Sequence, residues 1–157
     1  MLSTKPRAKR GERRYRYVCW VDSPMDTLVD PPYLEKMKRT TLERGWAVSN
    51  PKTGTFLQPT DAWGFPKYPD RTVILPPDAD LTGALEVFIR SNAPFLDEAN
   101  CWLGTWVHPE TKHVAIDITT SCSDLDEALR VTARINAASR RKMTAVYNSS
   151  RGETVYL

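Results

Sequence analysis

His108, His113 and Asp117 lie within ten residues of one another, and they are the types that could do chemistry together. His108 and His113 bracket a short turn, and Asp117 shares a strand face with His113 at period two. Two imidazoles and a carboxylate could ligate a metal, or act as an acid/base pair centred on Asp117. The plainer reading weighs more. A histidine beside a turn is ordinarily solvated, and the chain has only these two histidines and no helical His-x-x-x-His pair. Asp117 is the more informative of the three, because an acid inside an apolar strand must find a donor or water. No serine, histidine and acid fall in a hydrolase elbow, and the seven glycines are too scattered for a phosphate-cradling loop. The sequence therefore points away from an enzyme and implies no metal and no cofactor.

The other chemical feature is a cationic arm. Lys5, Arg7, Lys9, Arg10, Arg13, Arg14 and Arg16 crowd the first sixteen positions, opposed there by Glu12 alone. Without them the formal charge of +3 gives way to 15 basic against 18 acidic side chains, a mildly acidic body. The arm reads as a solvated solubility tail, or its arginines, interleaved with Tyr15 and Tyr17, can neutralise phosphates and stack on bases, or dock on an acidic protein surface. Pro6, Gly11 and the charge density disfavour independent folding of residues 1–14.

A body must position these groups. At 157 residues, 41% hydrophobic and 26% charged with five tryptophans, the chain suits one packed domain, residues 15–157, with possible halves at 15–75 and 78–157. No apolar run approaches the roughly 20 residues needed to span a bilayer, and no apolar segment follows the basic start as it would in a signal peptide. Cys19, Cys101 and Cys122 are odd in number and unpaired in spacing, which suits a reducing cytoplasm and buried, inert thiols. Of the three, Cys122 lies nearest the helix-start setting that lowers a thiol pKa.

Residues 15–21 read as a strand. Asp30-Pro31 reads as a helix start, with Leu34, Met37, Thr41 and Leu42 as its stripe and Gly45 as its stop. Residues 46–49 and 55–58 form a hairpin around Asn50-Pro51-Lys52-Thr53-Gly54, and the proline-rich 59–70 reads as an irregular loop. Its Trp63, Phe65 and Tyr68 are candidates for an interface. A short strand at 71–75 precedes a helix at 81–92 carrying Leu81, Leu85, Phe88 and Ile89, which Pro94 ends. A second hairpin, 102–107 and 113–119, sets Val114, Ile116 and Ile118 on one face and His113, Ala115 and Asp117 on the other. A helix begins at Ser123 with Asp126 as a capping-box partner and runs to about 140, followed by strands at 144–147 and 154–156. The expected fold is α+β: mainly an antiparallel sheet of hairpins with about three helices packed on it. Asn50-Pro51-Lys52-Thr53 and His108-Pro109-Glu110-Thr111 echo one another, which good hairpin chemistry explains, a duplicated unit being the alternative.

Gly104, Trp106, Pro109, Thr111, Asp117 and Thr119, followed by the amphipathic helix, form a pattern in roughly the last 75 residues. It resembles an uncharacterised small domain of bacteriophage and actinobacterial proteins, with a Gly-x-Trp-x-x-Pro-x-Thr-Gly hairpin and an Asp-x-Thr strand. The chain departs from that pattern at Lys112, where glycine is preferred. The resemblance implies phage or mobile-element origin and brings no catalytic residues. The expectation is then a non-enzymatic interaction protein of a bacterial cytoplasm or a virion, binding a protein partner with help from the arm. The alternative is a nucleic-acid-binding protein that grips the backbone with the arm.

Overall fold

The computed structural model of the chain describes residues 29–157. The basic arm and the strand expected at 15–21 lie outside the described residues. What is described is a single α+β domain whose eight strands form one antiparallel half-barrel sheet.

Helix α1 (Pro31–Arg44) starts on proline, whose fixed φ suits a first turn, and stops at Gly45. There φ is +89° and the N–H reaches Thr41 O at 2.8 Å. Its buried stripe is Tyr33, Leu34, Met37 and Thr41. Leu42 is 57% exposed, a correction with a geometric cause: eight residues after Leu34, a helix of 3.6 residues per turn has rotated about 80° past it.

Next come β1 (Trp46–Asn50), β2 (Thr55–Phe56), β3 (Trp63–Pro66), a short 3-10 turn at Pro69–Arg71 and β4 (Val73–Leu75). The passage 59–70 is thus no continuous loop. Helix α2 (Leu81–Ser91) buries the four residues its stripe predicts, Leu81, Leu85, Phe88 and Ile89, and is capped by Asp80 Oδ1 accepting from Gly83 N–H at 3.1 Å. A second short helix, α3 (Ala93–Leu96), starts where Pro94 ends the first, which makes four helices among the described residues where about three were expected. Strands β5 (Trp102–Val107) and β6 (Val114–Cys122) form the central hairpin. Helix α4 (Leu125–Ala138) is capped by Asp124, one residue later than expected, and β7 (Ala145–Asn148) with β8 (Glu153–Tyr156) closes the chain.

The nine-residue β6 is the spine. One edge pairs with β5, while the other is shared by β4, opposite residues 114–116, and β3, opposite residues 119–122. From β6 the sheet runs through β5 to β1 and β2, and through β3 to β7 and β8. Helices α1 and α2 cover one face over a core of Met37, Leu85, Ile89, Leu103, Ile116 and Ile118. Helix α4 covers the far end of that face over Trp63, Phe65, Ala128, Met143 and Val146. Burying each of the larger of these side chains contributes about 1.5–3 kcal/mol. Every strand has a second face, and among the described residues no helix covers that one.

Candidate functional site

The uncovered face is a groove of about 530 Å³, lined from β1, β3, β4, β5, β6, β7 and β8. Strand alternation fixes what points into it. On β6, Ile116 and Ile118 go to the core, so Ala115, Asp117 and Thr119 go to the groove. On β5 the groove takes Trp102 and Trp106, on β1 Trp46 and Val48, and on β7 Tyr147.

The sheet curls over this face. On a flat sheet Trp46 and Tyr147 would sit roughly 28 Å apart, four strands across and six residues along. Their ring centroids are 6.5 Å apart, edge to face. This aromatic bridge ties the two limbs of the half-barrel together across the groove, and Arg44 stacks on the Trp46 ring at 3.7 Å.

Asp117 sits at the floor. Directly opposite, on β5, is Gly104, with Trp102 and Trp106 two residues to either side, at the diagonal distance aromatic rings can bridge. The glycine is a requirement of space. A Cβ there would stand 1.8 Å from Thr119 Oγ1 and 3.0 Å from Asp117 Oδ1. On the other edge of β6, the register of β4 carried one residue further sets Thr72 opposite Asp117. The Thr72 hydroxyl is shielded from water and has no partner.

Asp117 accepts one hydrogen bond, from Thr119 Oγ1 at 2.5 Å. Removal from water raises its pKa from 3.8 to about 6, and the Thr119 hydroxyl opposes the rise only in part. The residue is half-buried, open toward the groove. The basic groups that line the groove are engaged elsewhere: Lys142 Nζ donates to the carbonyls of Asn136 and Ser139 at the end of α4, and Arg141 donates to Thr72 O.

The histidines do not join Asp117. His113 is exposed and four residues along the strand, about 13 Å away. His108 Nδ1 accepts the backbone N–H groups of Glu110 and Thr111, each at 3.2 Å, and its ring packs on Trp106. Its role is to hold the turn. Among the described residues no group of three His, Cys, Asp or Glu side chains is placed to hold a metal ion. Cys101 is buried and Cys122 half-buried, and burial pushes both thiols up, so neither has thiolate character.

Trp63 and Phe65 are 3% exposed in the α4 core and present no surface to a partner, which corrects their reading as an interface. Prolines at 59, 66 and 69 disguised a four-residue strand. Tyr68 is half-buried, packs on Phe95, and donates to both oxygens of Glu98, which also takes Lys67 Nζ at 2.9 Å. Sequence reading did not find Trp46, Trp102, Trp106 and Tyr147 as a group. Their period-two placement opposite core residues was the available signal.

Comparison with known proteins finds no matching family model, no matching curated protein and no matching solved structure. Among the described residues no helix is long and apolar enough to cross a membrane.

Proposed function

We propose that this protein is a non-enzymatic interaction module, of phage or mobile-element origin, that receives an extended segment of a protein partner in the aromatic groove. The observation that carries the reading is the groove itself. Among the described residues, the sheet buries one face under α1, α2 and α4 and leaves the other, with three tryptophans and two tyrosines, without a covering helix. Aromatic side chains of this kind supply large contact area at small entropic cost and are enriched at recognition sites. A volume of about 530 Å³ lies in the range of ligand-sized clefts. The basic residues Lys5 to Arg16 add long-range attraction to an acidic partner surface.

Selection of peptides from a random library on the immobilised chain tests the reading. Selected peptides are expected to lose at least tenfold in affinity for Trp102→Ala and for Tyr147→Ala. Binding unchanged in both variants places the site elsewhere and defeats the proposal.

A second reading, single-stranded nucleic acid, is favoured by the same rings together with Arg141 and Lys142 on the rim. The carboxyl at the floor weighs against phosphate. If oligonucleotides bind, log K falls steeply with log salt, and removal of residues 1–14 flattens that slope. Equal binding by the shortened chain would remove the arm from the account.

A further inference from the structure

We infer that the groove is built to seat a positively charged side chain of the bound segment, a guanidinium or ammonium, with Asp117 as counter-ion and Trp102 and Trp106 as walls. This rests on the reading of the groove as a peptide site and specifies what the peptide must carry.

Three observations converge. Asp117 is a carboxyl in an aromatic-walled recess, satisfied by the Thr119 hydroxyl alone, and no cation of the described residues pairs with it. A buried or half-buried carboxylate without a positive partner is costly, so a ligand bringing that partner recovers what the fold gives up. Next, the rings beside it are those that attract cations to their faces, and Trp is the strongest of them. Finally, the orphan Thr72 hydroxyl lies in the register position next to Asp117, and a ligand with several N–H donors can satisfy both, whereas an apolar one satisfies neither. Gly104 keeps the approach open, since any side chain there would occupy the space above the carboxyl and Thr119.

The other charged and titratable groups facing the groove are His108 and Glu110 on the β5–β6 turn, Arg141 and Lys142 before β7, Tyr147 on β7 and Tyr156 on β8. Arg141 and Lys142 are committed to backbone carbonyls, so they do not fill the role.

Calorimetric titration of the full chain tests the inference with blocked tripeptides: Gly-Arg-Gly, Gly-Lys-Gly, and neutral counterparts with citrulline and norleucine at the centre. At pH 7 the charged peptides are expected to bind at least tenfold more tightly than the neutral ones. Asp117→Asn, confirmed folded by its melting curve, should abolish that advantage. For the parent chain the advantage should fall about tenfold between pH 7 and pH 5, as Asp117 takes up a proton. The same fall persisting in Asp117→Asn would place its origin in another group and overturn the inference. So would equal affinity for charged and neutral peptides, although that result, with binding still lost in Trp102→Ala, would leave the groove as a peptide site. Binding of none of the four would overturn both readings together.

Discussion

Asp117 is held in the folded chain at a cost. Its pKa is raised, so the folded state binds a proton more readily than the unfolded one between about 3.8 and 6. This group therefore lowers stability as pH rises through that window and contributes nothing to the pH dependence below it. Asp117→Asn should raise stability at pH 7, by up to about 3 kcal/mol, and the gain should vanish near pH 4. Calorimetric melting of both chains from pH 4 to pH 7 checks it. A gain that does not grow with pH would mean the carboxyl is well hydrated. Gly104→Ala makes the complementary point. With a Cβ 1.8 Å from Thr119 Oγ1, it should cost about 1–3 kcal/mol, and Thr119→Ala in the same chain should recover part of that. Urea titration of the single and double variants reads both values. Asp117 was legible in the sequence, as an acid alternating with Val114, Ile116 and Ile118. The task of Gly104 was not, because it depends on which residue of β5 the register sets opposite the acid.

Three hairpins share one turn geometry, and their chemistry explains the echo between the halves of the chain. In each, the fifth residue donates its N–H to the carbonyl of the first: Gly54 to Asn50, Lys112 to His108, Gly152 to Asn148, at 2.8, 2.9 and 2.8 Å. The fifth residue has positive φ each time, +73°, +62° and +65°. The first accepts backbone N–H groups on its side chain, through Asn50 Oδ1, His108 Nδ1 and Asn148 Oδ1. Thr53 and Thr111 add a bond from the N–H two residues on. The third turn shares this geometry without a Pro-x-Thr, so turn chemistry is enough to account for the likeness. Of the three turns, that at Lys112 alone carries a side chain into the left-handed region, so Lys112→Gly should stabilise the chain by about 0.5–1 kcal/mol and Gly54→Ala should cost about 1 kcal/mol. Shifts in denaturation midpoint measure each, and a destabilising Lys112→Gly would contradict the shared geometry. Helices and hairpins were readable from local periodicity and caps. The strand at Trp63–Pro66 was not, because Pro59, Pro66 and Pro69 read as loop and its partners on β6 and β7 are far away in sequence.

At the scale of the molecule, fourteen residues of arm carry the net positive charge and the half-barrel carries the groove. Fold class followed from the order of elements, but curvature did not. The Trp46–Tyr147 bridge joins strands that do not pair, and nothing local marks those two residues as partners. Closure of the groove is therefore a property of the whole sheet, and so is the enclosed position of Asp117. The most direct measurement is a heteronuclear spectrum of the full chain during titration with the arginine tripeptide. Saturable shifts are expected for the Trp46, Trp102 and Trp106 indole N–H signals and for the backbone around Asp117, with the exposed helical positions Leu42 and Val87 unmoved. Shifts confined to residues 1–16 or to the helical face, with the three indoles unchanged, would contradict this expectation.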